Sequence, residues 1–212
     1  MHGTTRPIVA MAALLAFTGC ASSIAYRADY VPATSVAAPE KIAGRVLVYT
    51  TRADDERLIT AGATSFTGSG ARLTTPIGMM TREIAYKVFS EGATEGAVLS
   101  NESGGAGQYA MVVRPEARDF RYGFPQLKNL GFAITPEVEV SLRVSVLDGS
   151  GAVLLENDYE SGVVEGKSYM LSGKPNERIN QLAHTTIHAL MLRALADVRS
   201  YQRSRVQDPG VP

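Results

Sequence analysis

Residues 137–146 alternate strictly between polar and apolar side chains, and this pattern constrains the fold more than any other feature of the chain. The apolar positions are Val138, Val140, Leu142, Val144 and Val146. A period of two places these residues on one face of a β-strand, so that one face is buried and the other contacts water. Burial on one face only is typical of an antiparallel sheet. The turn sequence Asp148-Gly149-Ser150-Gly151 follows, and residues 152–164 are predicted to return as the partner strand.

The residues before this hairpin predict two further strands and a helix. The β-branched and apolar stretch 45–51 predicts a buried first strand, whereas the small residues of 60–75 predict a loop. Thr75 is expected as the N-cap of a helix that has Pro76 at its first position. Apolar residues then recur at helical spacing at Ile77, Met80, Ile84 and Val88. A strand is predicted from Tyr109, which Pro115 interrupts and which continues through 120–124 as an edge strand.

A second amphipathic helix is predicted to begin at Pro175 or Asn176. Its apolar face includes Ile179, Ala183, Ile187 and Leu190. The predicted order is therefore β-α-β-β-β-α. This order favours an α+β fold, a two-layer sandwich with a mainly antiparallel sheet and both amphipathic helices on one face.

The first twenty residues have the features of a cleaved leader. Arg6 precedes the apolar stretch 7–17, which is too short to cross a bilayer, because a spanning helix needs about 20 residues. Phe17-Thr18-Gly19-Cys20 then resembles a bacterial lipobox. This resemblance implies cleavage between Gly19 and Cys20 and acylation of Cys20. The alternative is an ordinary secretory signal in which Cys20 has no role.

The remaining sequence divides into a linker, a folded domain and a tail. Residues 1–19 are predicted to be the signal peptide, and residues 20–40, rich in Ala, Ser and Pro, a lipidated cysteine followed by a flexible tether. Residues 41–201 are predicted to form a periplasmic α+β domain, and residues 202–212 a disordered tail.

Several classes of chemistry are not expected. Lys plus Arg and Asp plus Glu both number 21, so no basic surplus supports a nucleic-acid partner. The single Cys excludes an internal disulfide and a multi-cysteine metal site. His184 and His188 have the spacing of two metal ligands, but the Glu of a His-Glu-x-x-His motif is absent, which favours a structural role. We therefore predict no catalytic residue, no cofactor and no metal site.

One stretch of basic and aromatic residues is a candidate contact site for a protein partner, because Arg and Tyr are enriched at interfaces. Its members are Arg114, Arg118, Phe120, Arg121, Tyr122 and Phe124. The alternative interpretation is an ordinary edge strand.

The order of elements behind a lipobox resembles the YajG-like family of bacterial lipoproteins. The matching parts are the strand 45–51, the helix 76–91, the turn 148–151 and the terminal helix with Asn180 and Leu190. The fold is also similar to those of the lipopolysaccharide-assembly lipoprotein and of auxiliary lipoproteins of lipid-transport ABC systems. The resemblance implies no catalytic residue.

Together these features predict a non-enzymatic lipoprotein at the periplasmic face of the outer membrane. The membrane would hold it through the acyl anchor at Cys20, and its domain would bind an envelope protein or a second copy of itself in envelope assembly or transport. The alternatives are an auxiliary lipoprotein that binds a lipid or another apolar ligand, and an envelope hydrolase.

Overall fold

The computed structural model describes residues 21–34, 37, 40–65, 70–102, 106–125, 133–170 and 174–207. The strands are β1 (Ala21–Ser23), β2 (Val46–Tyr49), β3 (Ile59–Gly62), β4 (Arg72–Thr75), β5 (Ala97–Ser100), β6 (Met111–Gly123), β7 (Ala133–Ile134), β8 (Glu137–Leu147), β9 (Val153–Glu160), β10 (Val164–Glu165) and β11 (Tyr169–Met170). The helices are α1 (Arg52–Asp55), α2 (Ile77–Gly92) and α3 (Pro175–Gln207).

The main sheet has six strands and a mixed topology. Its order is β10-β8-β6-β2-β5, and β9 pairs with β8 beside β10. β2 runs parallel to both β5 and β6, while β6, β9 and β10 are antiparallel to β8. The α+β class is confirmed, but the predicted strand order and the mainly antiparallel sheet do not fit. The predicted sheet fails because the sequence analysis missed β5. After β2 the chain passes through α2 and comes back beside β2 as β5, and a strand that returns through such a connection is parallel.

β8 confirms the alternation that opened the sequence analysis. Val138, Val140, Leu142, Val144 and Val146 are all buried, and the residues between them are partly exposed. The buried face packs against α3, and α2 packs against α3, β2, β5 and β6. Both long helices therefore join one hydrophobic core with the sheet, as the amphipathic patterns predicted.

β6 lies inside the sheet over its first residues only, and among the described strands residues 120–123 pair with β8 alone, as predicted for an edge strand. Its first residues pair with β2, from Val46↔Met111 to Val48↔Val113, and almost its whole length pairs with β8. Pro115 comes after the last β2 pair and opposes Val144. A proline is tolerated there because that side of β6 has already passed the end of β2.

A small second sheet has the order β1-β4-β3 and lies in two segments that were predicted to lack strands. The predicted loop 60–75 contributes β4 and most of β3, and residues 66–69 within it lie outside the described residues. Thr75 ends β4, and Pro76 rather than Thr75 is the N-cap of α2. The alternating exposure of the short strands gave too weak a pattern for prediction.

Described elements lie in both segments that were predicted to flank the domain. The expected tether contains β1, which pairs with β4, and the buried side chains of Ile24 and Val31. The expected tail contributes to α3, which continues to Gln207. Among the described residues, no helix is both long and apolar enough to cross a membrane.

Candidate functional site

The predicted acylation site directly precedes the first strand. Gly19 and Cys20 lie outside the described residues, whereas Ala21 is the first residue of β1 and pairs with Arg72 of β4. The backbone N–H of Ile24 continues this pairing by donating to the carbonyl of Thr74 at 3.1 Å. A strand of the fold therefore starts one residue after the position that the lipobox motif marks.

Residues 24–34, here termed the N-terminal strap, contact both α2 and α3. Asn180 of α3 donates its Nδ2 to the carbonyl of Ala25 at 2.9 Å. From α2, Lys87 Nζ donates to the carbonyl of Val31 at 2.8 Å, and the carboxylate of Glu91 accepts from the backbone N–H of Thr34 at 2.6 Å. Side chains of both helices thus hold the backbone of the strap.

The histidine pair, His184 and His188, contacts this strap. The backbone N–H of Arg27 donates to Nε2 of His184 at 2.8 Å, so Nε2 carries no proton. Nδ1 must therefore carry the proton, which it donates to the carbonyl of Asn180 at 2.8 Å. The ring of Tyr26 stacks on His184 at 5.5 Å, and Tyr30 approaches it edge-on at 5.6 Å. His184 is therefore a neutral imidazole with both ring nitrogens in use.

His188 lies one turn further along α3 and also faces the strap. Its Nε2 is 3.1 Å from Oγ1 of Thr34. Burial lowers the pKa of both histidines, and the positive charge of Lys87 lowers the pKa of His188 further. Within the described ranges, His184 and His188 belong to no group of three or more side chains that could hold a metal ion. Their spacing alone could not reveal this role, because the strap is more than a hundred residues away in sequence.

The basic and aromatic stretch does not form one surface. Phe120, Tyr122 and Phe124 are buried in the core that β6 shares with the helices. Two of its arginines, Arg118 and Arg121, are exposed. Arg121 alternates with Phe120 and Tyr122 and therefore lies on the opposite face of the sheet. A register shift between Ala117 and Asp119 places Arg118 on that open face as well, beside Glu116. The three aromatic side chains are therefore not available on the open face, and a partner contact through Arg114, Arg118 and Arg121 stays a prediction.

The exposed sheet face carries paired charges rather than a basic patch. Arg118 lies 2.9 Å from Glu116, and Arg121 lies 2.9 Å from Asp119. Arg114 approaches Asp54 at 3.8 Å. On the neighbouring strands, Arg143 pairs with Asp158 at 2.7 Å and lies 3.9 Å from Glu156. The acidic partner raises the pKa of Arg143, and Arg143 lowers the pKa of Asp158.

A surface cavity between α1 and the start of α2, here termed the α1–α2 groove, was not predicted. It has a volume of about 610 Å³ and is lined by Arg52, Asp55, Glu56, Leu58, Pro76, Met79, Arg82 and Asn101. Leu58 is 61% exposed and Met79 is 43% exposed. The only sequence feature that could have indicated this groove is Leu58, a single leucine that follows a run of charged residues.

Asp55 organises the polar side of this groove. Its Oδ2 accepts from Nη1 of Arg82 and from Nδ2 of Asn101, both at 2.6 Å. Its Oδ1 is buried and accepts no hydrogen bond from the part of the chain that the structure describes. The groove therefore combines two exposed apolar side chains with a carboxylate that Arg82 and Asn101 hold in place.

The interface between helices and sheet is closed by large side chains. Phe89, Phe120 and Met191 are each less than 2% exposed there. A second cavity of about 340 Å³ opens at the surface beside α3, and its lining includes Glu165, Lys167 and Arg178. These charged walls are unlike the apolar lining that an acyl chain requires.

No family model matches this chain, and no curated protein matches it. Among solved structures, protein XCC0632 from Xanthomonas campestris, of the family DUF330, is 12% identical with a TM-score of 0.56, over 89% of this chain and 99% of that one. A candidate lipoprotein from Caulobacter crescentus is 14% identical with a TM-score of 0.36, over 61% of this chain and 85% of that one. A minor lipoprotein from Acinetobacter baumannii is 11% identical with a TM-score of 0.36, over 74% and 93%. The chain therefore shares its fold with the Xanthomonas protein, while the YajG-like resemblance stays a prediction.

Proposed function

We propose that this chain is a non-enzymatic lipoprotein of the bacterial envelope, held at the outer membrane by acylated Cys20, whose domain binds an envelope protein. The observation that carries the proposal is the position of Ala21. Ala21, the residue directly after the lipobox, is paired with Arg72 in β1, so an anchor at Cys20 would be bonded directly to a strand of the fold.

The arrangement of the polar side chains supports a binding protein over an enzyme. His184 has both ring nitrogens occupied by backbone groups, which leaves neither free to move a proton. The arginines of the open sheet face are paired with carboxylates. General acid–base catalysis needs a titratable group within reach of a substrate, and these groups are committed to the fold.

The α1–α2 groove is the surface that best suits a protein partner. Its exposed Leu58 and Met79 adjoin the ion pair between Arg82 and Asp55, and apolar contacts beside fixed polar groups are typical of binding interfaces. The groove lies near the pair Ile59↔Thr75, at the opposite end of β3 and β4 from the pair Ala21↔Arg72. An anchor at Cys20 would leave it free and raise its local concentration for a partner.

The anchor is tested by fractionation of cells that express the wild-type chain or Cys20→Ala. We expect the wild type to incorporate labelled palmitate and to sediment with outer-membrane vesicles. Cys20→Ala should take up no label and appear in the soluble periplasmic fraction. A wild-type chain without label, or one in the inner-membrane fraction, would contradict the proposed location.

The partner surface is tested by photo-crosslinking in living cells. A photoreactive amino acid at Met79 should give an adduct, whereas the same residue at the exposed Val153 should give none. Leu58→Glu should abolish the adduct at Met79, because it places a charge in the apolar part of the groove. An adduct of twice the chain mass would assign self-association, and equal crosslinking at both positions would remove the groove as the binding surface.

A further inference from the structure

We infer that one end of the domain seats directly on the lipid bilayer, through the exposed side chains of Val163 and Met170 beside the start of β1. This inference rests on the proposed anchor and adds to it a defined membrane-facing surface. It concerns the lipid contact and not the partner-binding groove.

The first step is the length of chain between the anchor and the fold. Consecutive Cα atoms are about 3.8 Å apart, and Cys20 is bonded to Ala21, the first residue of β1. β1 cannot extend away from the domain without breaking its pairing with β4, which includes the hydrogen bond from Ile24 to Thr74. Buried Ile24 opposes the same movement. An acyl anchor at Cys20 therefore holds the start of β1 at the lipid headgroups.

The second step identifies what else lies at this end. Ala21 pairs with Arg72, and the preceding carbonyl of Ala71 accepts from the hydroxyl of Tyr122 at 3.2 Å. Tyr122 pairs with Val138 across β6 and β8, and Val138 pairs with Val164 of β10. The beginning of β1, the end of β6 and the start of β8 therefore share one end of the molecule.

The third step is the exposure of apolar side chains at this end. Val163 directly precedes β10 and is 63% exposed, and it lines a small cavity together with Thr64 and Tyr122. Met170 is 60% exposed and pairs with Ala133, just before β8 begins. Exposed apolar side chains beside a membrane anchor gain free energy by entering the interface between headgroups and acyl chains.

The charges at this end are mixed. Arg72 and Lys167 are exposed there and suit lipid phosphates, whereas the exposed Glu165 opposes them. The contact therefore depends on the apolar side chains and requires no strongly anionic lipid.

Single thiols test the membrane contact, because acylation consumes the one native cysteine. Val163→Cys, Met170→Cys and Val153→Cys each receive a nitroxide label in the full acylated protein. Val153 is the matched control: it is 61% exposed and pairs with Leu147 at the opposite end of β8. The proteins are reconstituted in vesicles of phosphatidylethanolamine and phosphatidylglycerol, and the collision rate with a water-soluble nickel complex is measured.

The expected result is a several-fold loss of nickel accessibility at 163 and 170 on reconstitution, with no change at 153. Equal accessibility at all three positions in a chain whose mass confirms acylation would overturn the membrane seat and leave the anchor intact. Low nickel accessibility at positions 163 and 170 that is already present without vesicles would assign Val163 and Met170 to a protein contact and overturn the inference. A chain without acyl groups that stays in solution would instead refute the proposed anchor, and the membrane seat with it.

Discussion

His184 shows how the spacing of a histidine can suggest a metal ligand when its actual contacts are not known. The i, i+4 relation to His188 is a feature of metal sites, yet both rings face the strap and hydrogen-bond to it. The sequence allowed a structural role because the motif lacked its glutamate. The sequence could not identify Arg27 as the partner of His184. The group that donates to Nε2 is a backbone N–H, which does not depend on the type of residue at position 27.

The lowered pKa of His184 makes the stability of the fold depend on pH. The unfolded histidine has a pKa of about 6.5, and burial lowers the pKa of His184 in the folded state. The hydrogen bond to the carbonyl of Asn180 and the charge of Asp29 oppose this effect, and the charge of Arg27 adds to it. Below about pH 6.5 the unfolded chain binds a proton that the folded chain does not, so the free energy of unfolding decreases as the pH falls. Urea denaturation between about pH 7 and about pH 5.5 should show this decrease. The double variant His184→Gln/His188→Gln should show a smaller one, and an unchanged slope would contradict the assignment.

Asn180 provides a test of the strap that does not involve titration. Asn180→Ala removes the donor to the carbonyl of Ala25, and the expected loss of unfolding free energy is about 1–3 kcal/mol. The neighbouring Gln181 is exposed, and Gln181→Ala should change stability by less than about 0.5 kcal/mol. Urea denaturation of both variants measures the difference. Equal stabilities would mean that the strap contributes little to the fold.

At the scale of elements, long periodic segments were predictable and short ones were not. The alternation in β8 and the apolar faces of α2 and α3 depend on local sequence, and they were assigned correctly. β1 consists of Ala-Ser-Ser and exists only because β4 lies beside it. β5 has four half-buried residues, which carry no period. Parallel pairing of β2 with β5 and β6 depends on the path of the chain, which local patterns do not encode.

The contact between α1 and α2 depends on the absence of a side chain at Gly78. Its N–H donates to the carbonyl of Arg57 at 3.1 Å, and a Cβ at this position would lie 1.8 Å from the carbonyl oxygen of Asp54. Because that oxygen belongs to the backbone, α1 itself would have to move. The α1–α2 groove is therefore built on this close approach.

Gly78→Ala should destabilise the protein by about 1–3 kcal/mol through overpacking and should reduce crosslinking from Met79. Gly70→Ala is the control, since a Cβ at Gly70 would meet no atom of the described residues within 4 Å. Thermal unfolding and the photo-crosslinking experiment measure the two effects. A Gly78→Ala protein with wild-type stability and crosslinking would show that the groove does not depend on this contact.

At the scale of the whole molecule, the N-terminal segment has two roles in this account. Residues 24–34 are held by α2 and α3, and β1 attaches the same segment to β4. The sequence analysis predicted a flexible tether here because Ala, Ser and Pro carry no apolar period. An anchor at Cys20 would therefore be joined to the body of the domain without an intervening spacer. The position of the groove relative to the membrane-facing end would then be fixed.

The most direct test of the central claim is the intact mass of the chain purified from membranes of a bacterium with a lipoprotein-processing pathway. The account predicts a polypeptide of residues 20–212 that carries a diacylglyceryl group on the sulfur of Cys20 and an acyl group on its amine. A chain that retains residues 1–19, begins elsewhere, or has an unmodified thiol at Cys20 would contradict the account.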